Sequence, residues 1–424
     1  MRAPAIARFL FSFELVIQNS FGCNSTIILV SIQWNSELNT CYNLPMKRIY
    51  LDNAATSFPK APGTADVIRD FLEKDCLNTS RTNGRQGTEI YERITGLREA
   101  VAGVLNLPSP ESIILNSGAT ESLNLIIKGL FHPGDHVLVS SCEHNSVMRP
   151  LIQGGVSFSR IPCDRQGYIL ADRIEELLRP ETKAILICGA GNVSGAVQDI
   201  GTIAEIAVKN RVLLFIDAAQ GIADLKVDMS AYGIAGVVFS GHKDLLGPEG
   251  TGGAALRRDV AMSIEPLISG GTGSRSDSEL IPDTLPDRLE AGTRNIGGLL
   301  ALEHSFSYRM ENARELRDRE KKVTELLYSG LESIDGIQIV GAPIDRPRTS
   351  VISITSDKLD IADMSELLLE RYGIETRVGL HCSPSSHKAL GTFPTGTLRF
   401  SPGPFTTEEE IRITVDAMKE IVNG

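Results

Sequence analysis

Ser240-Gly241-His242-Lys243 closes the apolar run Gly236-Val237-Val238-Phe239, and Asp217-Ala218-Ala219-Gln220 closes a second run that ends at Ile216. An amine and a carboxylate at the ends of two apolar segments are costly to bury unless they are paired or have chemistry to do. A deprotonated lysine attacks a carbonyl, and an aspartate facing a pyridine nitrogen keeps that ring protonated and electron-poor. Pyridoxal phosphate demands that arrangement of the protein holding it. Lys243 alone reads more simply as a surface lysine after a strand. Asp217, Gln220, His242 and Lys243 taken together favour the cofactor site.

Two further segments can serve the same ligand. Ser117-Gly118-Ala119-Thr120-Glu121 opens a helix directly after a strand, where free N–H groups and the helix dipole suit a phosphate and the Thr120 hydroxyl adds a donor. An ordinary N-cap is the plainer explanation of that segment alone. In Glu143-His144-Asn145 the imidazole can stack on a planar ring, or it can be a buried histidine satisfied by hydrogen bonds. A zinc site is the competing reading for Cys142 with His144 and for His381, Cys382 and His387. Paired Cys-x-x-Cys spacing is missing, and a metal would leave the lysine and aspartate without roles. No metal is expected.

The elements that position these groups follow from patterning. The apolar runs at 112–115, 136–139, 184–187, 212–216 and 237–239 do not alternate with polar residues. Such runs mark parallel strands covered by helices on both faces. A helix over 120–130 carries Leu123, Ile126, Ile127 and Leu130 on one side. The expected fold is therefore α/β, with a large, doubly wound, mostly parallel sheet over residues 46–300. A smaller C-terminal α/β domain over 301–424 is built on strands at 337–340, 350–354 and 397–400 and helices at 311–331, 361–372 and 407–422. Thr407 and Glu410 have the spacing of a capping box, and the site is expected in the cleft between the domains.

Composition narrows the function. The chain has 424 residues, 42% of them hydrophobic, and a net charge of −11, which argues against a nucleic-acid or anionic-membrane surface. Its seven cysteines lack the spacing of a disulfide framework and fit a reducing, cytoplasmic setting. Residues 1–45 stand apart: Arg2 and Arg8 precede a short apolar run that Glu14 interrupts, a weak match to a targeting segment. Met46 is the expected natural start.

Leu51-Asp52-Asn53-Ala54-Ala55-Thr56, Ser117 to Glu121, Glu143-His144-Asn145, Asp217 to Gln220, Ser240 to Lys243 and Glu290-Ala291-Gly292-Thr293 occur in the order seen in class V aminotransferase-fold enzymes. From about Met46 to the C-terminus the chain resembles the cysteine desulfurase and selenocysteine lyase group of that family. The resemblance implies the aspartate-aminotransferase-like fold, a homodimer and pyridoxal 5'-phosphate. It makes Lys243 the Schiff-base lysine, Asp217 the partner of the ring nitrogen, Gln220 the partner of the phenolic oxygen and His144 the stacked ring. Ala119, Thr120, Ser240 and His242 would hold the phosphate, with Thr293 reaching the phosphate of the other subunit. Asn192 would lie near the substrate carboxylate and a cofactor oxygen and Ala54 against the substrate, and the motif around Asn192 departs somewhat from the family wording.

The C-terminal part carries the remaining resemblance. Arg377-Val378-Gly379-Leu380-His381-Cys382 resembles the family's Arg-x-Gly-x-x-Cys loop, and Arg399 resembles the arginine that grips the substrate carboxylate. A guanidinium forks onto a carboxylate in a way that lysine does not imitate. Nearby positive charge favours a thiolate, and Arg377 and His381 are the groups expected to supply it to Cys382. The bland alternative for Cys382 is a small buried hydrophobe, against which stand the flanking glycine, proline and serines. The implied reaction converts L-cysteine to L-alanine, with Lys243 moving the proton and Cys382 taking sulfur as a persulfide for a sulfur-acceptor protein. L-Selenocysteine is the alternative substrate, and amino-group exchange with an oxo acid is a less favoured one.

Overall fold

The computed structural model describes residues 48–77, 84–223, 225–275 and 277–424, and the expectations for residues 1–45 and for Met46 lie outside them. Arg48–Gly424 packs as one compact unit. Its chain begins with β1 (Ile49–Tyr50), and then builds a seven-stranded sheet from β2 (Ile113–Asn116), β3 (His136–Ser140), β4 (Ser157–Ile161), β5 (Thr182–Cys188), β6 (Leu213–Asp217), β7 (Gly236–Ser240) and β8 (Gly252–Leu256). The order across the sheet is β2-β8-β7-β6-β5-β3-β4. Neighbours from β4 to β7 run parallel, while β8 is antiparallel to both β7 and β2. The sheet is thus the mostly parallel one that the apolar runs predict.

Packing explains why those runs do not alternate. Val137 and Val139 of β3 enter one apolar layer and Leu138 the other; Leu186 and Phe215 face the first, Ile185, Ile187, Leu214 and Ile216 the second. A strand covered on both faces needs apolar residues at every position. Two strands of this sheet are absent from those runs for the complementary reason. Edge strand β4, Ser-Phe-Ser-Arg-Ile, is half-exposed and not a continuous apolar run, and β8 opens Gly-Gly-Ala-Ala, a composition poor in the branched residues that signal a strand. Gly253 is required there, because a Cβ would come within 2.2 Å of the Ile114 carbonyl oxygen.

A second sheet, of four antiparallel strands, forms from β9 (Ile337–Val340), β10 (Ile352–Ser356), β12 (Arg377–Gly379) and β13 (Thr397–Phe400), while β11 (Ile374–Glu375) pairs with β1. Ile49 and Leu51 join the apolar cluster of this smaller sheet, so the first described segment packs on the last part of the chain. The helix Ile296–Glu311 runs through position 300 and buries Ile296, Leu299 and Leu300 in the large core. It gives way at Asn312 to the helix Ala313–Glu332, whose Val323, Leu327 and Leu331 join the smaller core. The helix Ile361–Tyr372 matches its predicted span, and the last helix, Glu408–Asn423, opens with the capping box of Thr407 and Glu410. Among the described residues no helix is long and apolar enough to cross a membrane.

One buried ion pair ties the large sheet to the segment carrying Thr293. Arg98, on the helix Arg85–Val104, forks onto Glu290 through contacts of 2.7 and 2.8 Å. Glu290 also accepts the Leu115 N–H and a contact from Arg294. Breaking a buried pair from one side leaves an uncompensated charge. Glu290→Ala is therefore expected to lower unfolding stability by about 3–5 kcal/mol in denaturant titrations, and a loss below about 1 kcal/mol would show that the pair is not a structural anchor.

Candidate active site

Four parallel strands end on one niche, as ligand sites in open α/β sheets do. β6 ends in Asp217, β5 in Cys188 beside it, β3 in Ser140 just before Cys142–His144, and β7 in Ser240 just before His242 and Lys243. Gly241 is fixed by close approach: a Cβ there would meet Thr251 Oγ1 at 2.3 Å, so only glycine lets the turn deliver Lys243. On the far wall the helix Ala119–Leu130 points its N-terminus inward, with no side-chain cap, and Ala119 N–H reaches Ser240 Oγ at 3.3 Å. Ala119, Thr120, His144, Asn192, Asp217, Gln220, Ser240, His242 and Lys243 line one cavity of about 100 Å³.

Burial dominates the electrostatics. It lowers the Lys243 ammonium to about 8; Asp217 opposes the shift, while Arg399 and Arg377 reinforce it. Burial raises Asp217 against the pull of the Ala219 N–H and the Lys243 charge. His144 is pushed to about 4, chiefly by burial and then by Lys243, so the ring is neutral. Its Nδ1 accepts the Ser146 N–H at 3.1 Å and lies 2.8 Å from Ser146 Oγ, which leaves the proton on Nε2. Ser146 Oγ in turn meets Thr120 Oγ1 at 2.8 Å. His242 is likewise held near 4 by burial, with Nδ1 3.1 Å from Thr56 Oγ1.

A second group of residues stands behind this niche. β12 and β13 pair Arg377 directly opposite Arg399, an arrangement that is destabilising for like charges unless something compensates. Arg399 is buried and donates from Nη2 to Asp52 Oδ1 at 2.6 Å and from Nη1 to the Asn192 carbonyl at 3.1 Å. Arg377 Nη2 lies 3.9 Å from Cys382 Sγ. Cys382 is exposed on a turn where both His381 and Cys382 have left-handed backbones, φ 46° and 56°, unfavourable for residues bearing a Cβ. Three bonds hold that turn to the niche: Asn192 Nδ2 to the His381 carbonyl, Asn145 N–H to the Cys382 carbonyl, and Ser383 Oγ to the Glu143 carbonyl.

The structure corrects one expectation about this turn. His381 is buried, its Nε2 faces Thr397, and burial with the Arg399 charge drives it to about 2. A neutral imidazole brings no positive charge to Cys382, and Arg377 is the cation in contact. Among the expected substrate residues, Ala54 donates its N–H to Ser401 Oγ and accepts from Gln220 Nε2 at 2.8 Å. Thr293 is exposed and lies outside the niche, on a separate cavity of about 200 Å³ shared with Ser117 and Glu121. A larger cleft of about 930 Å³ reaches Ala54, Gln220 and Lys243 from another side. Its wall mixes Lys226, Arg317 and Arg346 with Asp199, Glu325 and Asp345.

Two residues of the site, Asp52 and Glu143, carry no signal of their role in the sequence. Asp52 was visible as part of the first motif, but its partner is 347 residues away. Glu143 is fully buried, accepts from Ser140 Oγ and the Cys188 N–H, and is raised to about 8 by burial, which keeps it protonated at neutral pH. Among the described residues no group of three His, Cys, Asp or Glu side chains is placed to hold a metal ion.

The Aminotransferase class-V family pattern matches residues 49–413. A probable cysteine desulfurase of Methanothermobacter thermautotrophicus is 33% identical over 89% of this chain and 96% of its own. The cysteine desulfurase CsdA of Escherichia coli is 27% identical over 87% and 93%. Among solved structures, the apo cysteine desulfurase of Thermococcus onnurineus superposes with a TM-score of 0.81 at 26% identity, covering 89% of this chain and 95% of that one.

An amine depressed to about 8 reacts at lower pH than an ordinary lysine, whose reference value is 10.5. Reductive methylation of Lys243 in the cofactor-free protein, followed by mass analysis of its peptide, is expected to rise with a midpoint near pH 8. Asp217→Asn removes the group that opposes the shift and is expected to move the midpoint lower. A midpoint near that of surface lysines would contradict the burial account.

Proposed function

Because the chain belongs to the class-V aminotransferase family, we propose that its niche binds pyridoxal 5'-phosphate and that the protein is a cysteine desulfurase. The observation that carries the reading is geometric: Asn192, which lines the niche with Lys243 and Asp217, also accepts from Arg399 and holds the turn on which Cys382 lies 3.9 Å from Arg377. The niche fits the cofactor on chemistry of its own. A buried carboxylate ends one strand, an amine of lowered pKa follows the next, and an uncapped helix N-terminus with Ser240 beside it suits a phosphate. When bound, the cofactor supplies an electron sink for the substrate's Cα–H bond.

The chain's own residues supply the rest. Asp217 would pair with the ring nitrogen, His144 would cover the ring as a neutral plane, and Thr120, Ser240 and His242 would take the phosphate. Arg399 would bind the α-carboxylate of L-cysteine, with Asn192 beside it. Lys243, half neutral near pH 8, would take up and return the Cα proton. Cys382, with Arg377 in contact, would attack the substrate sulfur. The carbon–sulfur bond breaks, a sulfur–sulfur bond forms on Cys382, and the thiol hydrogen is balanced by the new C–H of L-alanine. The persulfide would then pass to an acceptor protein.

In this reading residues 46–300 are the cofactor half and 301–424 the cysteine half of a cytoplasmic homodimer. Exposed Leu267, Ile268, Leu280 and Ile281 on the segment leading to exposed Thr293 support a second copy there. Cys382→Ala is expected to retain the visible absorption of the loaded protein and to lose L-cysteine-dependent sulfur release by at least about 100-fold. Selenide release from L-selenocysteine is to be measured alongside. Undiminished sulfide release from L-cysteine by the variant would remove Cys382 from the reaction.

A further inference from the structure

Arg399 is a buried cation set opposite a second arginine, yet it occupies a single defined place. Its side chain is 2% exposed, and a like charge, Arg377, stands directly across the ladder. A carbonyl such as that of Asn192 orients a guanidinium but does not neutralise it. The neutralising contact comes from Asp52, whose Oδ1 accepts from Nη2 at 2.6 Å. Asp52 is fixed in turn: its backbone bridges to Ser401, two residues beyond Arg399, and its carbonyl accepts from the Tyr50 hydroxyl.

The contact leaves most of the guanidinium's donors over. A guanidinium has five N–H donors; Asp52 and the Asn192 carbonyl each take one, and buried Nε–H has no acceptor among the described residues. A buried donor without a partner is expensive, and an incoming carboxylate is the acceptor that suits a guanidinium fork. Rotation of the side chain would forfeit the Asp52 contact and bring the charge nearer to being unpaired.

We propose that Asp52 is the positioning residue of carboxylate recognition: by holding Nη2 it fixes the Arg399 fork in one rotation and reserves the remaining donors for the substrate's α-carboxylate. The proposal rests on the reading of Arg399 as the carboxylate ligand. It extends that reading by making selectivity for α-amino acids over simple amines depend on a residue of the first motif, far away in sequence.

The test compares two probes on the cofactor-loaded protein, L-alanine and ethylamine, which differ by the carboxylate. Each is titrated against the visible absorption, giving an equilibrium constant independent of sulfur chemistry. Asp52→Asn is expected to weaken L-alanine by about 10- to 100-fold, the weight of a charge-assisted contact, and to leave ethylamine unchanged. Asp52→Glu, which keeps the charge, is expected to recover part of the loss. An unchanged ratio in Asp52→Asn overturns the proposal, as does equal weakening of both probes, which marks a merely structural role. Tighter L-alanine binding also overturns it, because Asp52 would then be a competitor. Arg399→Lys separates the two layers: a collapsed ratio there with no change in Asp52→Asn strikes the Asp52 role alone, whereas an unchanged ratio in Arg399→Lys strikes the reading of Arg399 itself.

Discussion

Burial of one amine organises this molecule. Lys243 stands just beyond the end of a fully buried strand, where its charge is poorly solvated, and the consequence is an ammonium pKa of about 8. The cost of such a group is acceptable only with a counter-charge near it, and Asp217, at the end of the adjacent parallel strand, is that charge. The parallel sheet matters because it brings several strand ends to one edge at once. The same edge holds neutral His144 and the open N-terminus of the helix Ala119–Leu130.

The smaller sheet adds positive charge beside that pair. Arg377 and Arg399 face each other across a ladder and both weaken the proton affinity of Lys243, so the two sheets are coupled electrostatically as well as by packing. Asp52 balances one arginine, and the other lies against Cys382. The strained turn bearing Cys382 is held by bonds from Asn192, Asn145 and Ser383. Residues with unfavourable backbone conformation persist where their surroundings over-determine them, and here those surroundings are the walls of the Lys243 niche.

Much of this was legible in residue order. Continuous apolar runs disclosed the covered strands, and the polar residues ending them disclosed the niche, because both signals are local. β4 and β8 were hidden, one by half-exposure and the other by glycine and alanine packed too closely for branched side chains. His381 misled for a different reason. Its neighbours in sequence suggested a cation beside Cys382, whereas its burial against Thr397 and Arg399 makes it neutral. The Asp52–Arg399 pair and the register that sets Arg377 against Arg399 are products of tertiary packing, which no local pattern encodes.

The central claim is that the amine at Lys243 and the thiol at Cys382 serve one reaction. Mass analysis of the cysteine-containing peptides after a single exposure of the loaded protein to L-cysteine, with L-alanine quantified in the same sample, tests it most directly. The account predicts one additional sulfur atom on the Cys382 peptide, matched mole for mole by L-alanine. L-Alanine formed while Cys382 stays unmodified, with the sulfur on another cysteine or on none, would contradict it.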